Sequence, residues 1–250
     1  MRALSIAAAL ILIAVPAAAD LVDDLRSGAL KECRGCDLRQ ANFKKADLSG
    51  VDLTGADLTG ARFHRAILKG TILKDVKAVD ANFNLAKMRR ADLSGADLTA
   101  ALFYEADISG ANLTGAKLHG SKMQNVRATS AKLAGADLHT ADLTNARLNN
   151  TSFKGAVLHN TVLRGANLGR SDFAKADLSY VTIVKAEMSK VSFAGALVSY
   201  TDFWGTDLRA ADFTGAKISE SRFSHADLTD AKMIGTSVKR TFMADGTFKE

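Results

Sequence analysis

The chain has 250 residues, of which 47% are hydrophobic and 24% charged, and its formal net charge is +6 at pH 7. This length would suit one or two ordinary domains. The basic charge is spread along the sequence, so it favours general surface solubility over a dedicated nucleic-acid site. The only long apolar run is at the N-terminus, and we therefore expect a mature protein that does not span a membrane.

The first nineteen residues have the order of a secretory signal peptide. Arg2 supplies a positive start, residues 4–15 form an apolar run, and residues 17–19 are three alanines. The run is too short for a stable membrane span. We predict cleavage near Ala19/Asp20, which gives residues 1–19 as the signal peptide and a periplasmic or secreted protein. A buried helix is the alternative interpretation.

Residues 20–35 are expected to form a short helical cap. The residues that follow this segment form a repeat structure, described below. The first coil of such a structure exposes its core and its unpaired edge, so it needs a cap. The apolar residues of this segment recur at helical spacing, at Leu21, Val22, Leu25, Ala29 and Leu30.

Cys33 and Cys36 are the only two cysteines of the chain. In an exported protein such a pair can oxidise to a disulfide that locks the cap. Two free buried thiols and a redox or metal role are the alternatives. Closure of so short a loop would contribute little entropy to stability.

A five-residue period governs the chain from Leu38 to Val238. Every fifth residue is apolar, only Ala78 and Ala128 are undersized, and the residue two positions earlier is small. This period fits neither a helix nor a single strand. It requires a short extended piece and a turn, repeated along the chain. We predict a solenoid over residues 36–240 and a C-terminal cap over residues 241–250.

The phenylalanines add a period of twenty residues. Twenty residues contain four five-residue repeats, which we interpret as the four sides of one coil. Within the repeat, phenylalanine occurs as the central residue on only two of these sides, and the two sides are opposite each other. Coils stacked about 4.8 Å apart would align these rings in columns. The ten residues are Phe43, Phe63, Phe83, Phe103, Phe153, Phe173, Phe193, Phe203, Phe213 and Phe223.

The recurrent polar residues and glycines fit the same frame. Sixteen of the nineteen glycines lie two residues after a central apolar position, where a corner requires a residue that tolerates positive φ. Asp or Asn often precedes the central residue, and Ser or Thr often follows it. These short side chains are expected to bond to neighbouring backbone amides, which is a structural role.

The two undersized central residues have a compensating neighbour. Val76 lies two residues before Ala78, and Val126 two residues before Ala128, in positions that hold a smaller residue in most repeats. A larger residue in one position and a smaller one in the next conserve core volume.

The repeat resembles the A(D/N)LXX motif of pentapeptide repeat proteins, in strings such as ADLSG, VDLTG, ADLTG and ANLTG. The resemblance covers residues 36 to about 240. It implies an all-β fold, a right-handed quadrilateral β-helix, here of about ten coils behind the short N-terminal capping helix. Near the C-terminus, the apolar residues Phe242, Met243 and Phe248 could close the column or pair with another molecule. Some family members dimerise through their C-terminal coils, so the resemblance implies that a homodimer through the C-terminal end is possible.

Three histidines share one outward position on successive coils. His119, His139 and His159 lie twenty residues apart, and their rings are expected to be about 4.8 Å apart. Such a ladder could hold zinc or copper. It could instead respond to mildly acidic pH, or form an ordinary solvated face.

Two further outward groups are candidate contact sites. Tyr180, Tyr200 and the only tryptophan, Trp204, could contact a partner or simply cover backbone. A basic patch flanks one corner near the N-terminal end, where it could meet anionic lipid headgroups, lipopolysaccharide or an acidic protein. A solvated charge run is the alternative. The basic patch consists of Lys44, Lys45, Arg62, Arg65, Lys69, Lys87, Arg89 and Arg90.

No set of residues combines a nucleophile with a base and an orienting group, so we predict no catalytic residues and no enzyme. The predicted function is an exported structural or binding module that presents flat faces to a protein or envelope partner, without a cofactor. The alternative is a metal-binding or pH-responsive protein that uses the histidines. The resemblance also implies a possible role in which an acidic surface imitates DNA and binds DNA gyrase. A chain that is net basic and exported does not suit that role. No nucleic-acid partner is expected.

Overall fold

A computed structural model of the protein describes residues 18–250. It contains one helix, α1 (Ala18–Ser27), which is followed by five short strands. These are β1 (Leu197–Ser199), β2 (Lys217–Ser219), β3 (Ser237–Lys239), β4 (Thr241–Phe242) and β5 (Phe248–Lys249). Within residues 18–250 no helix has the length and apolar character that a membrane crossing requires. The predicted signal peptide lies outside the described residues, except for Ala18 and Ala19.

A twenty-residue register holds the body together. Strands β1, β2 and β3 pair in parallel with Leu197 opposite Lys217, and isolated parallel bridges such as Asp37 with Asp57 repeat this offset along the chain. The Leu38 amide donates to the Asp57 carbonyl at 2.8 Å. Because the corners leave at most three paired residues on a side, few stretches are long enough to be strands.

The four sides of the coil are called here faces A, B, C and D. Their central inward residues, in steps of twenty, are 43 to 243 on face A, 48 to 228 on face B, 53 to 233 on face C and 38 to 238 on face D. Faces A and C are opposite each other. In each repeat the residues directly before and after the central one point outward, and a corner residue follows them.

The core contains the two phenylalanine columns that the sequence predicts. All ten rings are fully buried. On face A the centroids of Phe63 and Phe83 are 4.9 Å apart, and on face C those of Phe193 and Phe213 are 4.7 Å apart. Phe193 also meets Phe203 across the core, edge to face, at 5.9 Å. The rings therefore stack along each column and touch between columns.

The corner position is left-handed whichever residue occupies it. Gly115 has a φ of 67°, yet Ala100 at 57° and Tyr180 at 61° adopt the same conformation. Non-glycine residues are disfavoured there because of their Cβ atom. The stacked coils thus impose the corner, and glycine relieves strain rather than creating the turn.

The repeated Asp and Ser or Thr form side-chain turns, as the sequence predicts. The Oδ1 atom of Asp52 accepts bonds from the Thr54 amide at 2.9 Å and the Thr54 hydroxyl at 2.6 Å. These bonds lower the pKa of Asp52, and bonds from Ser49 do the same for Asp47. Most aspartates are therefore committed to building the turn.

The two ends of the column differ. At the N-terminal end, Leu25 of α1 is fully buried in the core cluster, and the Arg26 guanidinium donates to the Asn42 carbonyl at 2.8 Å. At the C-terminal end, β4 and β5 pair as an antiparallel hairpin with Phe242 opposite Phe248. The inward residues of the last coil are only partly buried, namely Leu228, Met233, Val238 and Met243.

Candidate functional site

The three predicted histidines lie one above another on face D. The ring centroids of His119 and His139 are 5.2 Å apart and stacked, whereas those of His139 and His159 are 5.6 Å apart and meet edge to face. His159 Nε2 is 2.8 Å from Asp177 Oδ2. Burial opposes ionisation of Asp177, but bonds from Ser179 and His159 outweigh it and lower the pKa of this carboxyl.

In the part of the chain that the structure describes, no three or more His, Cys, Asp or Glu side chains form a group that could hold a metal ion. Zinc or copper binding by His119, His139 and His159 therefore stays a prediction from the sequence.

The tyrosines and the tryptophan occupy separate surroundings. Tyr180 and Tyr200 stack with centroids 4.7 Å apart at the corner after face D, and about half of each side chain is exposed. Trp204, on face A, is partly covered: its ring meets His225 edge to face at 5.6 Å, and Lys185 Nζ is 5.4 Å from its centroid. The sequence did not predict these two neighbours of Trp204.

The structure joins Cys33 and Cys36 in a disulfide whose Cα atoms are 5.5 Å apart. Cys33 is buried in the core cluster beneath the first coil, and Cys36 packs against that cluster. The pair lies between α1 and the first complete coil, far from the outward groups of the later coils.

The basic patch divides into two halves. On face B, the Arg89 Nε atom donates to Asp107 Oδ2 at 2.6 Å, and Glu105 and Asp107 line the same depression as Lys69 and Lys87. This half is therefore of mixed charge, which corrects the purely basic surface that the sequence predicts. The sequence missed it because the carboxylates come from the following coil.

The half of the patch on face A differs from the half on face B in its ion pairs. Among residues 18–250, no carboxylate forms an ion pair with Lys44, Lys45, Arg62 or Arg65. His64 lies between them, and both burial and the charges of Arg65, Lys44 and Lys45 lower its pKa. Face A thus presents a concentrated positive potential at its N-terminal end.

The family model for pentapeptide repeats matches the chain in eight copies, over residues 36–75, 81–120, 121–160, 156–195, 186–230 and 206–243. The chain belongs to the pentapeptide repeat family. Family membership implies a right-handed quadrilateral β-helix, in agreement with the four faces and the twenty-residue register. Pentapeptide repeat proteins are in general structural or binding proteins rather than enzymes.

Solved structures of other pentapeptide repeat proteins resemble this one. HetL, involved in heterocyst differentiation regulation in the cyanobacterium Nostoc sp. strain PCC 7120, is 26% identical, with a TM-score of 0.58 over 92% of this chain and 98% of HetL. QnrB1, a plasmid-mediated fluoroquinolone resistance protein, is 16% identical, with a TM-score of 0.37 over 83% of this chain and 92% of QnrB1. No curated protein matches the sequence significantly.

Proposed function

We propose that this pentapeptide repeat protein is a non-enzymatic, exported binding module that presents its faces to a protein or envelope partner. The inward residues are occupied by packing, and most aspartates are occupied by turns. The observation that carries the proposal is the unpartnered positive surface of face A, because nothing in the architecture requires it. Export rests on the sequence of residues 1–19 alone.

The surface charge also argues against the other family role. A DNA mimic needs an acidic face, whereas this chain is net basic and the N-terminal end of face A carries a cluster of four basic residues. A pH-responsive face D is the second candidate function, since the stacking of His119 on His139 would place two positive charges together on protonation.

Capture experiments test the proposed module. Chain 20–250 is immobilised and exposed to the exported and envelope fractions of the producing cells. Replacement of Lys45, Arg65, Lys69 and Lys87 by Gln removes four charges around the corner between faces A and B, and recovery of the partner should fall at least tenfold.

The matched control removes four charges from the opposite face C, at Lys74, Lys132, Lys154 and Lys232, which are all exposed. This variant should recover the partner as well as the wild type does. Equal losses from both variants would show that net charge, and not this surface, determines capture.

We further propose that α1 caps a solenoid of about ten coils and that the opposite end is a dimer interface. Phe242, Phe248 and Ile234 expose 54%, 49% and 72% of their surface there. Apolar groups and backbone at an open edge favour association with a second copy.

Sedimentation velocity tests the dimer. Phe242→Asp and Phe248→Asp should each weaken dimerisation at least tenfold because they place a charge in the apolar contact. Tyr104→Asp, at another exposed aromatic residue, should leave it unchanged. A wild-type protein that sediments as a monomer at high concentration would refute the interface.

A further inference from the structure

A diagonal contact recurs between neighbouring coils on all four faces. The side chain that directly follows a central inward residue contacts the Oδ2 atom of an aspartate that lies eighteen residues later, in the next coil. Arg34 contacts Asp52 at 2.8 Å, and Arg89 contacts Asp107 at 2.6 Å. The same geometry joins Gln124 to Asp142 at 2.6 Å and His159 to Asp177 at 2.8 Å.

The two oxygens of the carboxylates in these diagonal contacts accept different hydrogen bonds. Asp52 and Asp142 each use Oδ1 for the local turn and Oδ2 for the residue of the preceding coil. In these four cases an outward Arg, His or Gln therefore meets an anionic oxygen at a fixed place in the next coil.

On face A this position holds no aspartate in four successive coils, at residues 62, 82, 102 and 122, and in the first two of them it holds a hydrogen-bond donor. Eighteen residues after Lys44 lies Arg62, and eighteen after His64 lies Asn82. Lys44 therefore faces a second cation, and His64 faces an amide. Two anionic oxygens that the pattern would supply are replaced here by groups that donate hydrogen bonds.

The orientation of two asparagines adds donors at the same place. Asn42 Oδ1 accepts from the Lys44 amide at 3.1 Å, and Asn82 Oδ1 accepts from the Asn84 amide at 3.0 Å. The turn thus uses each Oδ1 atom, and among residues 18–250 neither Nδ2 group donates a hydrogen bond, so both can donate to a ligand. Asn42, Arg62 and Asn82 are aligned by parallel bridges on three successive coils.

These side chains line one open depression of about 460 Å³. Its walls are Asn42, Lys44, Arg62, His64 and Asn82, and no carboxylate is among them. All five can donate hydrogen bonds, and Lys44 and Arg62 are the two basic side chains among them. A guanidinium beside an ammonium and amides suits a compact tetrahedral anion with several oxygens.

We propose that this depression on face A binds the phosphate group of a phosphomonoester, whose oxygens take the place of the two missing carboxylates. The inference rests on the proposed binding function and names its ligand chemistry. The phosphate could belong to a lipid headgroup or to a small soluble molecule.

The test begins with inorganic phosphate as the probe, titrated into chain 20–250 and followed by the NMR signals of His64. A bound phosphate should raise the pKa of His64, because the anion offsets the positive charges around the ring. Arg62→Gln should weaken binding at least tenfold. Asn82→Asp restores the residue typical of the repeat, so it should keep the fold and still weaken binding at least tenfold.

Arg147→Gln is the matched control, because Arg147 is exposed and occupies the same repeat position on face B. It should leave phosphate binding unchanged. An equal loss in Arg147→Gln and Arg62→Gln, or a His64 pKa that phosphate does not change, would overturn the proposal.

Two further probes distinguish the source of the phosphate. Stronger binding to vesicles containing phosphatidic acid than to glycerol phosphate would assign the site to a lipid, and equal binding per phosphate would assign it to a soluble molecule. Binding to neither would refute the site. If phosphate fails while the Lys45, Arg65, Lys69 and Lys87 variant still loses its partner, the binding module stands without this ligand.

Discussion

Phe193→Ala is expected to lower the free energy of unfolding by about 3–5 kcal/mol, the usual range for a buried phenylalanine. Phe193 is fully buried and touches three rings: Phe173 at 5.5 Å, Phe213 at 4.7 Å and Phe203 at 5.9 Å between centroids. Its removal opens a cavity in the middle of the column. Neighbouring coils cannot close the cavity, because the backbone register fixes their separation. Urea denaturation measures the change.

Phe43→Ala is the control for the role of the column. Phe43 is equally buried but stacks on only one ring, Phe63, at 5.1 Å. Aromatic pairs contribute about 0.5–1.5 kcal/mol each beyond burial. Phe193 has two ring contacts more than Phe43, so the cost at Phe43 should be smaller by about 1–3 kcal/mol. Equal costs would mean that burial alone, without the stacking, stabilises the core.

A double-mutant cycle at Val126 and Ala128 is expected to show strong coupling. Both residues are fully buried, and the larger one occupies the position that is small in most repeats. Ala128→Leu alone should overpack the coil and cost about 1–3 kcal/mol. Val126→Ala alone should leave a cavity and cost about 1–2 kcal/mol.

The double variant restores the usual order of small and large residues, so its stability should lie within about 1 kcal/mol of the wild type. The equivalent pair, Val76 and Ala78, is also buried and should behave in the same way. Additive costs in both pairs would show that the two positions do not share volume.

The fold was predictable from the sequence because its packing repeats. Each central residue and each small residue must be inward, so the period alone predicts the buried rings of Phe63 and Phe193. Corners such as Tyr180 were harder to recognise, because the stacked coils impose a conformation that this residue type disfavours.

The binding surface was only partly predictable. The sequence assigns Lys44 and Arg62 to face A, and it assigns Arg89 to face B. It does not indicate that Arg89 reaches the carboxylate of Asp107 in the next coil, since that contact depends on the sideways offset between coils. It likewise does not indicate which way the Asn82 amide points, because the turn bond from Asn84 determines that orientation.

Two kinds of outward residue can therefore be separated. Those that meet a diagonal aspartate, such as Arg34, already have an anionic partner within the solenoid. Other outward residues, such as Lys44, have no acidic residue opposite them in the next coil. Their side chains can therefore bind an external ligand. This division places the binding role at the N-terminal end of face A and its corner with face B rather than along the whole rod.

Lysine footprinting of the protein, with and without its captured partner, tests the location of the binding surface most directly. The account predicts that Lys45, Lys69 and Lys87 become at least fivefold less reactive in the complex. It also predicts that Lys74, Lys132 and Lys154, on the opposite face C, keep their reactivity. Protection confined to face C, or spread evenly over all faces, would contradict the assignment of binding to the corner between faces A and B.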